Sequence, residues 1–153
     1  MSMTTRSKRT LQFNLDYLAG FFDGEGSIFI AKMLNKKSGN YWYRLTVSCA
    51  NSISKPIQAL NSLKPGQSNF YCYRPKRKAT YLPQYQWLAT GNVALYFLKK
   101  IQGKLVCKQE QARIGIEFQN WRNSLPNTGK KRTKDILKKC EGFRQKLKSL
   151  KKM

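Results

Sequence analysis

The stretch Tyr17-Leu18-Ala19-Gly20-Phe21-Phe22-Asp23-Gly24-Glu25-Gly26-Ser27-Ile28 decides how the rest of the chain is read. Leu15, Leu18, Phe21 and Phe22 recur at helical spacing and Asn14 is placed to cap them, so a helix is expected over Leu15 to Asp23, stopped by Gly24 and Gly26. Three of the seven acidic residues, Asp16, Asp23 and Glu25, crowd into this segment of a chain otherwise full of cations. A carboxylate at a helix C-terminus faces the negative end of the macrodipole at a cost of roughly 0.3–1 kcal/mol, which a bound cation would offset. Gly24 would add a free carbonyl oxygen, and Mg²⁺ favours such hard ligands while keeping waters and phosphate oxygens. Gly20 and Gly24, with Ala19, make a small-residue face that a second helix can approach closely, and a copy of the same helix across a two-fold axis would bring two Glu25 together. Taken as four residues alone, Asp23 to Gly26 also reads as nothing more than a Gly-rich helix stop.

Outward from the helix, Ser27 to Leu34 and Tyr41 to Ala50 form a hairpin around the polar loop Asn35 to Asn40. In its second strand Leu45, Val47 and Cys49 share one face and Arg44, Thr46 and Ser48 the other, the pattern of a sheet with a core side and a polar side. Ile53, Ile57 and Leu60 mark a short helix ending before Pro65 and Gly66. The order then repeats: strands over Ser68 to Arg74 and Tyr81 to Thr90, divided by the basic loop Pro75 to Lys78, precede a helix carrying Val93, Phe97 and Ile101. Two more helices follow, one with Ile114, Phe118, Trp121 and Leu125, the other with Ile136, Cys140, Phe143, Leu147 and Leu150. The fold class is therefore α+β, with a leading helix, two strand-strand-helix units (αββαββα) and added C-terminal helices. Residues 1–13 are expected to be a mobile basic arm, 14–126 the domain proper, and 127–153 a basic helix packed on it.

Lys and Arg number 30 against 7 Asp and Glu, a net charge of +23 that implies a polyanionic partner, nucleic acid first. A membrane is set aside, because no apolar run nears spanning length and no signal-peptide pattern opens the chain. With 153 residues, 41% of them hydrophobic, one core is expected. No histidine is present, which leaves catalysis to carboxylates, lysines, backbone and metal. Cys49, Cys72, Cys107 and Cys140 lack metal-site spacing and read as buried small hydrophobes in a reducing compartment. The last segment, Lys130 to Met153, holds eleven basic and two acidic residues, and reads as a helix with one apolar stripe and a solvated basic face, or alternatively as a phosphate contact.

Nine consecutive residues, Leu18 to Gly26, closely resemble the signature of the LAGLIDADG homing endonucleases, and the order of elements extends the resemblance from Asn14 to Leu125. That likeness implies motif helices packed at the molecular centre, a saddle-shaped antiparallel sheet on double-stranded DNA, and a metal at the scissile phosphate. It implies Glu25 as the metal ligand, where many relatives have Asp, with the Gly24 carbonyl beside it and Asp23 organising the helix end. Lys108, in Lys108-Gln109-Glu110-Gln111-Ala112, looks like the family's active-site lysine, and Asn51 stands where relatives often place a polar residue near the attacking water. One motif copy implies a homodimer joined through Leu18, Ala19, Gly20, Phe21, Asp23 and Gly24, reading a near-palindrome of roughly 20 base pairs. Mg²⁺ or Mn²⁺ would support cutting with staggered 3′ overhangs, Ca²⁺ binding only. An intron-encoded homing enzyme is the implied setting, in the cytoplasm of a prokaryote or in the organelle whose genome encodes it.

The sheet's polar face would enter the major groove, with Arg44, Thr46 and Ser48 as leading readers and Lys32, Arg74, Arg77, Lys78, Gln84 and Gln86 as further candidates. Interleaved aromatics, Tyr41, Trp42, Tyr43, Tyr71, Tyr73, Tyr81, Tyr85 and Trp87, also suit stacking on single-stranded RNA, though core packing is the commoner use. The alternatives are an RNA maturase acting on intron RNA, a structured-RNA-binding protein, and a DNA-binding regulator of the same fold without cleavage.

Overall fold

The structure, a computed structural model, describes residues 14–63, 67–73, 82–126 and 133–151. The chain opens with helix α1, Leu15–Glu25, whose N-terminus is capped as expected: the Asn14 side chain accepts the Tyr17 N–H at 2.7 Å. Its end differs from the sequence reading, because Gly24 lies inside the last turn and the cap, Gly26, is extended with φ −83° rather than left-handed. Gly26 is there for space, since a Cβ would stand 2.3 Å from the Phe22 ring and 2.6 Å from the Phe22 carbonyl oxygen.

Strands β1 (Gly26–Leu34) and β2 (Tyr41–Asn51) follow, joined by a loop in which Gly39, at φ +71°, donates its N–H to the Asn35 carbonyl at 2.8 Å. Then come α2 (Ser54–Ser62), β3 (Asn69–Tyr73), β4 (Gln84–Thr90), α3 (Gly91–Ile101), a single 3₁₀ turn, α4 (Gln109–Ser124) and α5 (Lys134–Leu150). The four strands form one open antiparallel sheet in the order β1-β2-β4-β3. This is the expected α+β order of a leading helix and two strand-strand-helix units with added C-terminal helices. The mobile-arm expectation for residues 1–13 lies outside the described residues.

Strand alternation sends Ile28, Ile30, Leu45, Val47, Cys49, Trp87 and Ala89 to one face, all of them buried beneath the helices. The Phe97 ring of α3 meets Phe22 and Trp87 edge-on at 4.9 and 4.8 Å, tying α1 to the sheet. Ile53 departs from its expected role: it precedes α2, is 62% exposed, and leaves Pro56, Ile57, Ala59 and Leu60 to form the buried face. The cysteine reading holds for Cys49 and Cys140 and fails for Cys72 and Cys107, which are exposed. Among the described residues, no helix is long and apolar enough to cross a membrane.

Helix α5 docks through Cys140, Phe143 and Leu147, the Phe143 ring meeting Phe118 of α4 at 5.5 Å. A polar network holds its other side to the sheet. Glu141 accepts from the Tyr43 hydroxyl at 2.8 Å, from Arg144 at 2.9 Å and from Gln145 at 2.8 Å, with the Lys32 ammonium 3.7 Å away. Burial alone would raise the Glu141 pKa, but the hydrogen bonds from Gln145 and Tyr43 and the charges of Arg144 and Lys32 bring it down to about 2. Because the folded value lies below the ordinary 4.5, this carboxylate's contribution to stability is complete above pH 4.5 and disappears as pH falls to about 2. In thermal melts, the advantage of the natural protein over Glu141→Gln is expected to be constant above pH 4.5 and to vanish toward pH 2.

Candidate active site

Five of the seven carboxylates have partners: Asp16 with Lys104, Glu110 and Glu117 with Arg113, Glu141 in its network, and Asp23 in the loop before α4. Asp135 lies in the first turn of α5, where the macrodipole favours it. Among the described residues that leaves Glu25, exposed in the last turn of α1 with no ion pair or hydrogen bond, in a turn that carries no basic residue. Charge at this disfavoured helix end, unanswered within one chain, fits a hard cation held by the Glu25 carboxylate and the last-turn carbonyl of Gly24. Groups of three or more Asp, Glu, Cys or His side chains able to hold a metal by themselves are absent among the described residues.

Asp23 does different work. Its carboxylate accepts the N–H groups of Val106 at 3.0 Å, Cys107 at 2.9 Å and Lys108 at 2.8 Å, gathering the loop that leads into α4. Desolvation opposes its charge, yet those N–H groups and the Lys108 cation hold it below the usual carboxylate range. Lys108 follows as the N-cap residue of α4 and turns its ammonium back to the Asp23 carbonyl at 2.5 Å. So the first acid of the motif positions the lysine, while the second has no partner among the described residues. Asp23→Asn keeps the shape and loses the charge, and cleavage is expected to fall about 10- to 100-fold in a timed assay, the usual range for a supporting group.

Cys49 of β2 pairs in register with Gly26, the residue that follows Glu25. Burial and then the Glu25 carboxylate push the Cys49 thiol up to about 12, while the Lys108 cation pulls it the other way. Asn51 ends the same strand two residues on, its side-chain oxygen accepting the Ile53 N–H at 2.9 Å and its amide left to donate. Glu25, Gly24 and Asn51 therefore stand at one end of the sheet, with Lys108 brought there by the Asp23 carbonyl.

The expected dimer face needs correcting. Leu18 and Ala19 are 1% and 0% exposed, because that side of α1 fills the chain's own core, and Asp23 is occupied by the loop. The outward stripe is Tyr17, Gly20, Phe21 and Gly24, at i, i+3, i+4 and i+7, with Tyr17 and Phe21 stacked at 6.3 Å. A Cβ on Gly20 or Gly24 would meet nothing within 4 Å, so the small residues face open space.

Of the expected base readers, Arg44, Ser48, Gln84 and Gln86 lie on the sheet face opposite the helices, by strand alternation from the buried residues beside them. Gln86 accepts the Tyr71 hydroxyl at 2.7 Å, which aims its amide, and the Arg44 guanidinium rests 5.1 Å from the Trp42 ring. Lys32 is corrected to the helix side: it pairs in register with Tyr43 and serves Glu141. Thr46 is also corrected, being 3% exposed between Phe29 and Thr90 and donating its hydroxyl to the Arg44 carbonyl at 3.3 Å. Arg74, Arg77 and Lys78 lie outside the described residues. Two of the aromatics, Tyr43 and Trp87, are core, and Trp42, Tyr71 and Tyr73 are the exposed rings on the open face. Sequence reasoning passed over Tyr17 and over Lys151, whose ammonium donates to the Ser27 hydroxyl at 3.1 Å.

Residues 18–104 match the family model described as LAGLIDADG endonuclease, more than half of the chain. The chain belongs to the LAGLIDADG endonuclease family. No curated protein matches it significantly. Among solved structures, the homing endonuclease I-CvuI, in complex with a DNA target, is 19% identical with a TM-score of 0.65, over 88% of this chain and 80% of that one. The LAGLIDADG homing endonuclease I-GzeII, also with a DNA target, is 16% identical with a TM-score of 0.62, over 87% of this chain and 44% of that one. The homing endonuclease I-TnaI is 18% identical with a TM-score of 0.56, over 92% of this chain and 97% of that one. At these identities the family fold is what is shared, and the site geometry described above is this chain's own.

Proposed function

We propose that the protein is a site-specific DNA endonuclease that binds a long near-palindromic duplex as a homodimer and hydrolyses one phosphodiester on each strand, leaving staggered 3′ overhangs. The observation that carries this reading is the Glu25 carboxylate, without a partner among the described residues, two positions beyond the Asp23 carbonyl that holds the Lys108 ammonium, at the end of a helix whose Gly20–Gly24 stripe is open. Two such stripes pressed together place two Glu25 side chains side by side, one for each strand. The relatives support the count: this fold fills only 44% of the I-GzeII chain, leaving room there for a second copy, which a chain with one motif supplies by pairing.

Glu25 and the Gly24 carbonyl would hold a divalent cation, Mg²⁺ or Mn²⁺, which would supply Lewis-acid stabilisation of phosphate charge. Lys108, fixed by the Asp23 loop, sets its ammonium where negative charge grows on the phosphate during displacement. Asn51 offers an amide donor that orients an attacking water or a phosphate oxygen. Arg44, Ser48, Gln84 and Gln86 read base edges in the major groove, Arg suited to guanine and Gln to adenine.

Selection of bound duplexes from a randomised pool in Ca²⁺ tests the binding half of this reading. The expected winner is one near-palindrome of roughly 20 base pairs, with one dimer per duplex. Enrichment of no sequence, or of a short asymmetric one held by a single chain, would sink it.

A further inference from the structure

Helix α5 runs antiparallel to the edge strand β1, from Glu141 beside Lys32 to Lys151 beside Ser27. Its last residues therefore round the sheet edge. Lys151 caps the helix, places its ammonium 5.4 Å from the Phe29 ring and donates to the Ser27 hydroxyl at 3.1 Å. Ser27 and Phe29 belong to the open face, opposite in register to Ser48 and Thr46, and Ser27 is only two residues beyond Glu25. Lys148 lines the same cleft between α5 and β1.

We propose that Lys151, carried by the C-terminal helix, contacts a DNA phosphate close to the cut, with Ser27 as its positioning residue. The idea rests on the DNA-binding reading above. Ser27 has no charge to neutralise Lys151, and among the described residues no carboxylate partners it, so the ammonium is held at the site by a neutral hydroxyl and a ring while repelling its neighbours. Burial and the cations Lys108 and Lys148 lower its pKa, the sign of a positive cluster short of an anion. A backbone phosphate supplies that anion, sharing the Lys108 end of the sheet. The docking of α5 through Phe143, Leu147 and the Glu141 network then serves to fix a charge, and the basic tail is more than a solvated face.

The test is the salt dependence of binding to the selected duplex, read in Ca²⁺ so that a protein that never cleaves still answers. Lys151→Met keeps the apolar stem over Phe29 and removes the charge. Removing one lysine–phosphate pair makes the slope of log K against log[salt] shallower by about 0.9, so two copies per dimer should make it shallower by about 2. Lys151→Arg should keep the slope, as should Lys138→Ala on the exposed side of α5. An unchanged slope in Lys151→Met, whatever happens to its melting temperature, overturns the proposal, and so does an equal change in Lys138→Ala.

Discussion

Glu25→Gln is expected to abolish cleavage, by on the order of 10³-fold or more, while affinity for the selected duplex stays within a few-fold. Glutamine keeps the length and volume of the side chain and one carbonyl oxygen, and loses the charge that a hard cation needs. The helix should not suffer, because the carboxylate stands at the end the macrodipole disfavours and has no partner to lose among the described residues. Nor should binding, since the open sheet face that holds the proposed readers is untouched. Rates from a timed strand-break assay, set beside a titration of the same DNA, separate the two. A mutant that cuts at a tenth of the normal rate would mean that the metal is held elsewhere.

The second large effect is expected from Gly20→Leu, which should leave each chain folded and disable the enzyme by separating the chains. A side chain at Gly20 meets nothing within 4 Å in the single chain, and leucine is a better helix former than glycine by about 0.8 kcal/mol, so the melting temperature should hold or rise. Across the proposed two-fold axis the same side chain would lie where two helix backbones must touch. The dimer dissociation constant should rise by more than about 100-fold in sedimentation, the scale of losing an interface hot spot, with cleavage abolished alongside. Leu18→Ala behaves oppositely, because Leu18 is core: it should destabilise each chain by about 2–5 kcal/mol. If Gly20→Leu remains a dimer and cuts, the outward stripe of α1 is not the interface.

Much of this was legible in the sequence because local chemistry agreed with the final packing. Asn14 capped what it was placed to cap, the alternation of Leu45, Val47 and Cys49 gave the buried face, and the Leu18 to Gly26 signature pointed to the family whose model matches residues 18–104. The readings that failed have particular reasons. Gly24 and Gly26 read together as the helix stop, but Gly24 falls inside the last turn and Gly26 answers to crowding, since Phe22 sits where its Cβ would be. Lys32 looked like a DNA contact because its charge outweighed its parity with Ile28 and Ile30, and its partner Glu141 lies far along the chain. Leu18 and Ala19 belong to the motif, yet an amphipathic helix has two sides and only burial tells which one a core will claim. Lys151 was invisible for the same cause: no local pattern says that a distant helix end will round a sheet edge and arrive at Ser27.

Strand breaks made when Mg²⁺ replaces Ca²⁺ on the duplex selected by binding, followed by sequencing of the ends, test the proposed cleavage most directly. One break on each strand, placed symmetrically about the palindrome centre with 3′ overhangs, stopped by EDTA and by Glu25→Gln, is the result predicted. Tight binding with intact strands in Mg²⁺ and Mn²⁺ alike, or breaks that persist in Glu25→Gln, would contradict it.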